Sequence, residues 1–264
     1  MIKESIKFEN STVFEGITSI RALVEAKRNG VNDRIINEVI YDAERESGGK
    51  ITRELSFLKH AAKEFGFSLT ASDRESIEKI TLGTSHGGII AKCGERRIPY
   101  IEENKSNILP YGFYVMIEGI EDPYNFGYAL RSLYALGASG IVLPERNWLA
   151  AAGVVARSSA GASEMITSYV SNDTEKTVGI FKQLGYKVVA ADEKTDIILQ
   201  EADLSMPIFL IVGGEKRGIS KKILSLVDTR VKIDYGRSFN ASLSAASAVT
   251  VFGYEIHRQN QKQK

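Results

Sequence analysis

Three short segments in the second half of this 264-residue chain bring polar side chains and glycine turns together at spacings that could do chemistry: Asn125-Phe-Gly-Tyr-Ala-Leu-Arg131, Gly213-Gly-Glu-Lys-Arg-Gly218 and Ser238-Phe-Asn-Ala-Ser242. In the first, Asp122-Pro123 breaks an apolar run, Asn125 stands where a helix N-cap is expected, and Gly127 leaves room for another backbone. Arg131 follows almost two helical turns later, so it shares a cleft with Asn125 only if the helix projects into that cleft; otherwise it reads as an exposed ion-pair partner. The second segment is a Gly-rich turn between an apolar run and a helix. Gly213–Ser220 follows the phosphate-loop spacing, but Ile219 stands where that loop needs lysine and Glu215 would repel phosphate. This argues against a nucleotide triphosphatase. It leaves either a turn whose backbone N–H and C=O groups hold a neutral adenine or ribose, or a plain strand-to-helix connection. In the third segment Asn240 is a natural N-cap for the last helix, and the Ala and Ser run through Ala248 suits close helix packing. By composition such a run is more often a packing device than a catalytic element, although the hydroxyls of Ser238 and Ser242 can hydrogen-bond a substrate. A fourth segment, Arg157-Ser-Ser-Ala-Gly-Ala162, is ambiguous unaided.

The elements that must position these residues follow from hydrophobic periodicity. Strands are predicted at Phe113–Ile117, Gly140–Leu143, Ile166–Val170, Lys187–Ala191, Ile208–Val212 and Arg230–Ile233, with helices at Phe126–Leu136, Thr174–Leu184, Ser220–Val227 and Ala241–His257. Such alternation predicts an α/β fold with a mostly parallel sheet and ligands at the carboxyl ends of its strands. All three segments begin at or just after a predicted strand end. The first hundred residues show helices at Ser19–Lys27 and Ile51–Phe65 and strands at Ile35–Ile40 and Gly87–Ala91, which describe a small α/β domain. We therefore expect a domain over 1–104, a polar linker over 105–110 and a second domain over 111–264.

Composition narrows the function classes. With 43% hydrophobic and 25% charged residues the chain reads as an ordinary globular protein. It has no apolar run near the roughly 18 residues of a membrane span, and its start is too polar for a secretory signal, so a cytoplasmic protein is expected. The single Cys93 cannot form an intrachain disulfide, and His60, His86 and His257 show no metal-ligand spacing. No metal site is expected. Charge is nearly balanced, 34 Lys and Arg against 33 Asp and Glu, so any nucleic-acid surface must be a local patch. Candidates are Arg96-Arg97, Lys216-Arg217, Lys221-Lys222 and the set Arg230, Lys232 and Arg237.

In this order and spacing the segments resemble the SpoU/TrmH family of RNA ribose 2'-O-methyltransferases, in the SPOUT superfamily. The family's first motif is similar to Asp122–Arg131, its Ser-Ala-Gly-Ala element to Ser159–Ala162, its second motif to Gly213–Gly218 and its third to Ser238–Ser242. Phe14–Leu23 and His86–Ala91 resemble, more loosely, the small substrate-binding domain that precedes the catalytic domain in many members. The resemblance implies a C-terminal SPOUT fold with a deep trefoil knot, S-adenosylmethionine as cofactor, an rRNA or tRNA substrate and a homodimer. By position, Ala191, Gly213, Gly214, Val231, Ile233, Phe239 and Ser242 would line the cofactor pocket. Arg131, Asn125, Glu215, Ser238 and Asn240 would form the catalytic set. Arg131 would be central, either as a ligand of phosphate and ribose hydroxyl or as the proton acceptor with help from that phosphate. The alternative is a non-catalytic RNA-binding or ribosome-associated protein on the same fold. The chain departs from the family where Val231-Lys-Ile233 replaces Ile-Pro-Met, and where Phe239 and Ala241 replace leucine and valine.

Overall fold

In the computed structural model, which describes residues 12–46, 52–83, 86–145, 151–214, 218–239 and 241–261, the chain forms two compact units. One comprises Met1–Arg97 with Asn147–Met165, the other Ile98–Arg146 with Ile166–Lys264.

The first unit is built on strands β1 (Val13–Glu15), β2 (Ile36–Asp42), β3 (Ser68–Ser72) and β4 (Ile89–Cys93), in the order β1-β4-β2-β3. Only β2 and β3 run parallel. Helix α1 (Ile17–Arg28) buries Ile20, Leu23 and Val24, the stripe its sequence marks out. Helix α2 (Arg53–Phe65) buries Leu55, Leu58 and Ala61; Thr52 caps it by accepting from the Leu55 N–H at 3.2 Å, and Gly66 at φ 75° ends it. Their apolar faces close one core with Phe14, Val39 and Ile89. Strand β3 and helix α3 (Arg74–Lys79) lacked a readable pattern, because the β3 residues are at best half-buried and present no apolar alternation.

The second unit starts with β5 (Phe113–Ile117), α4 (Pro123–Ala135) and β6 (Gly140–Pro144). The chain then contributes α5 (Ala152–Ser158) and α6 (Ala162–Met165) to the first unit before resuming the second with β7 (Ser168–Ser171), α7 (Thr174–Gln183), β8 (Lys187–Ala191), β9 (Ile208–Val212), α8 (Lys221–Leu226), β10 (Thr229–Val231) and α9 (Ala245–Asn260). All six strands are parallel, in the order β10-β8-β9-β5-β6-β7. Every residue of β5 and β9 is buried, which is why these strands read as unbroken apolar runs. Phe181 of α7 stacks on Phe209 with ring centroids 3.8 Å apart, and Tyr114 and Tyr186 pack edge-on or tilted around it. The Leu109 N–H donates to the Tyr114 hydroxyl at 3.1 Å and the Tyr186 hydroxyl donates to the Leu109 carbonyl at 2.6 Å, anchoring the entering chain.

Two helix starts differ from the sequence reading. The cap of α4 is Asp122, whose Oδ1 accepts from the Asn125 N–H at 2.8 Å. Pro123, with fixed φ and no N–H, takes the first helical position and moves the start ahead of Asn125. The last helix begins at Ala245, capped by Ser244 through the Ser247 N–H at 3.2 Å, so Ala241–Leu243 are not helical.

Candidate functional site

The carboxyl ends of β8, β9 and β10 open into a cavity of about 820 Å³. Ala191, Val212 and Val231 are the last residues of those strands and form its floor, Leu224 of α8 and Ala245, Ala248 and Phe252 of α9 its walls. The parallel topology puts these ends side by side.

Close backbone packing explains the glycines of the second motif. A Cβ on Gly213 would lie 2.5 Å from the Gly218 carbonyl carbon, and one on Gly214 would lie 2.4 Å from the Glu118 carbonyl oxygen and 2.8 Å from Gly119 Cα. The Gly218 N–H donates to the Gly214 carbonyl at 3.0 Å, closing the turn at its base. Opposite, residues 192–199 run as a strap beside the end of β10. The Asp192 N–H donates to the Val231 carbonyl at 3.0 Å, Lys232 N–H to Ile197 at 3.0 Å and Leu199 N–H to Lys232 at 2.9 Å. Backbone hydrogen bonds thus hold the glycine turn and the strap in place beside the cavity.

Of the expected cofactor residues, Ala191, Gly213, Gly214, Val231, Ile233 and Ser242 line this cavity. Phe239 does not; it is 60% exposed, and the late start of α9 leaves Ala241–Leu243 outside the helix. Arg131 is exposed on α4, Asn125 is half-buried in its first turn and Ser238 is exposed, and none of the three lines the cavity. Glu215 and Asn240 lie outside the described residues, as do Lys216 and Arg217. No hydrogen bond or ion pair engages the Arg131 guanidinium among the described residues. Helix α4 is held to α9 beside it by the Thr250 hydroxyl, which donates to Ser132 Oγ at 2.8 Å.

Sequence reasoning missed part of the rim. Asp192, Glu193 and Lys194 after β8 line the cavity, and their one sequence signal is adjacency to a strand end. Lys221 at the start of α8 and Arg230 and Lys232 around the end of β10, expected as parts of a nucleic-acid patch, line it as well, with Arg230 3.8 Å from Asp192. Tyr235 lines it too. Arg96, a candidate phosphate ligand, is instead buried; it donates to the Ser163 carbonyl at 2.7 Å, and burial lowers its pKa. Burial pushes the Cys93 thiol up to about 12, which removes it as a nucleophile near neutral pH. Among the described residues no His, Cys, Asp and Glu cluster could hold a metal, and no helix is long and apolar enough to cross a membrane.

Comparison with known proteins follows the same lines. The description of the SpoU rRNA Methylase family matches residues 112–254. The chain is 28% identical over 214 residues to the 23S rRNA (guanosine-2'-O-)-methyltransferase RlmB of Shewanella oneidensis, covering 80% of this chain and 86% of that one. It is 27% identical over 203 residues to the putative TrmH family tRNA/rRNA methyltransferase YacO of Bacillus subtilis, covering 75% and 80%. Among solved structures, an AdoMet-bound rRNA methyltransferase from Sinorhizobium meliloti superposes with a TM-score of 0.77 at 19% identity, covering 99% and 95% of the two chains. The SpoU methyltransferase AviRb from Streptomyces viridochromogenes gives 0.72 at 20%, covering 94% and 89%. At such identities these structures speak for the fold.

Proposed function

Since this chain belongs to the SpoU rRNA Methylase family, we propose that it is an S-adenosylmethionine-dependent RNA methyltransferase acting on a ribose 2'-hydroxyl of rRNA or tRNA, with its cofactor in the cavity at the ends of β8, β9 and β10. One observation carries the placement: six residues expected at the cofactor from four separate stretches of sequence line a single cavity edged by the Gly213–Gly218 turn. Its volume lies within the roughly 300–1,000 Å³ of small-molecule sites. Apolar Val212, Val231, Ile233 and Leu224 suit an adenine, glycine-turn backbone groups suit its polar edge, and the Asp192, Lys194 and Lys221 rim suits a zwitterionic amino-acid end. When bound, the cofactor supplies an electrophilic methyl group on a sulfonium.

The protein's part is orientation. Arg131, permanently charged, binds a backbone phosphate and the ribose hydroxyl and lowers the hydroxyl's pKa. Asn125 orients that arginine or the ribose, Glu215 fixes the glycine turn, and Ser238 and Asn240 hold the reacting hydroxyl. Positioning of this kind supplies about 7–11 kcal/mol when reacting atoms are held in a near-attack geometry. Because Arg131 does not line the cavity, we place the working site in a homodimer. Its interface is the exposed face where Tyr124, Tyr128 and Tyr134 of α4 and Val251 and Tyr254 of α9 present apolar surface, and each protomer then offers Arg131 to its partner's cavity. The strap at 192–199, the late segment 232–244 and α9 packed against α4 and β9 are the parts we assign to the trefoil knot. The first unit, in which residues 147–165 complete the small α/β domain expected over 1–104, is assigned to RNA binding, and an rRNA or tRNA substrate places the protein in the cytoplasm.

The test is incubation with methyl-labelled S-adenosylmethionine and separately purified unmodified tRNA and rRNA, followed by nuclease digestion. Label on a ribose 2'-oxygen supports the reading. Label on a base, or cofactor binding with no transfer to either pool, contradicts it.

A further inference from the structure

Beyond Lys232, one side chain ties the segment that leads from β10 to α9 among the described residues. Among the described residues no backbone–backbone hydrogen bond ties 233–243, although this stretch carries Ser238, Phe239 and Ser242. The Leu243 N–H instead donates to the Tyr235 hydroxyl at 3.2 Å, spanning eight residues and closing the segment into a loop. Phe239 at its far side folds back edge-on to the Tyr235 ring, centroids 6.2 Å apart and planes at 68°. Tyr235, Ser242 and Leu243 all line the cavity, and Leu243 directly precedes the Ser244 cap of α9. An irregular loop pays for its closure in chain entropy, so a single tie at its base has a large effect on where its residues spend their time.

We propose that Tyr235 is a positioning residue: its ring is a wall of the cofactor cavity and its hydroxyl pins the loop that carries the third motif. The proposal rests on the cofactor reading above. Leu243 supplies the donor through its backbone, so the pin can be cut from either end. Tyr235→Phe removes the acceptor and keeps the wall, Leu243→Pro removes the donor and keeps the tyrosine, and Tyr235→Ala removes both functions.

Amide hydrogen exchange of the 236–243 peptide and calorimetry with S-adenosylmethionine are measured on the full-length protein and these variants, each checked for a wild-type melting profile. For Tyr235→Phe, exchange in 236–243 should quicken and cofactor Kd rise by about tenfold, the scale of one lost hydrogen bond. Leu243→Pro, which also changes a residue lining the cavity, should weaken the cofactor at least as much, and the double variant should be no worse than Leu243→Pro alone, since both changes cut the same bond. Tyr235→Ala should weaken the cofactor further, by about another tenfold for the lost apolar wall. In transfer assays KM for the cofactor should rise with Kd and kcat should fall, because Ser238 on the same loop is assigned to the reacting hydroxyl, while the melting profile stays that of the wild type, a combination that general loosening of the fold would not produce. Unchanged exchange and Kd in Tyr235→Phe overturn the proposal, as does a double variant whose losses multiply. If the wild type gives no heat with S-adenosylmethionine, the cofactor reading fails, and exchange in Tyr235→Phe still decides whether the pin exists.

Discussion

Arg34 and Glu164, 130 residues apart in sequence, meet at 2.9 Å with both side chains only 4% exposed. The same carboxylate accepts from Asn32 Nδ2 at 2.5 Å, and Arg34 also donates to the Gly94 carbonyl at 2.8 Å. Next to them, Gly161 at φ 86° lies so close to α1 that a Cβ there would stand 2.3 Å from Ala22 Cβ. Residues of the second half that resemble the Ser-Ala-Gly-Ala element therefore complete the first unit. Glu164→Ala would leave Arg34 charged and unpaired in the interior, at a cost of about 3–5 kcal/mol. Urea unfolding reads this directly, and a loss below about 1 kcal/mol, the range of a surface pair, would refute a buried role. A truncation removing residues 1–104 strips Glu164 of the same partners, so RNA binding is better probed with point variants.

Gly214 has no slack. Its Cβ would face backbone atoms of Glu118 and Gly119, and Glu118 is itself fixed by its N–H to the Val212 carbonyl at 2.9 Å. We expect Gly214→Ala to displace the turn and reduce cofactor affinity by at least about tenfold, the scale of one lost hydrogen bond or more. Gly179, inside α7 with open space around its Cβ position, is the matched control. Gly179→Ala should stabilise the protein by up to about 1 kcal/mol and leave affinity unchanged. Calorimetry and thermal melting of the two variants separate these outcomes, and equal effects would show that the turn tolerates a side chain.

Arg131→Ala should abolish methyl transfer and leave cofactor affinity nearly unchanged, since Arg131 does not line the cavity. Single-turnover transfer beside calorimetry checks both halves. A variant that still transfers methyl groups removes the arginine from the mechanism; one that loses cofactor binding ties it to the cavity.

Glu255 near the end of α9 gives a pH signature. Hydrogen bonds from Arg258 hold its carboxyl below the ordinary range; burial opposes them, and Gln259 adds to them. A depressed folded-state pKa contributes stability that is complete above the unfolded value, about 4.3, and is lost as pH falls through the folded value. Glu255→Gln should therefore be less stable than wild type at pH 7, with the gap closing below about pH 4. Denaturant titrations from pH 7 to pH 3 would show this; a gap that widens in acid has the wrong sign.

The apolar runs and glycine turns of this chain determine a parallel α/β unit, because strands buried on both faces need unbroken hydrophobic sequence and close backbone packing tolerates only glycine. Phe113–Ile117, Lys187–Ala191 and Ile208–Val212 appear as strands with the bounds their sequence marks. Local competition already escaped that reading: Asp122 and Asn125 are both good caps, and only the helix start set by Pro123 chose between them. What tertiary structure alone decided is which distant residues meet. The joining of Ala191, Gly213 and Val231 in one cavity, the pairing of Arg34 with Glu164 and the pin from Leu243 to Tyr235 depend on long-range packing, which leaves no periodic trace along the chain.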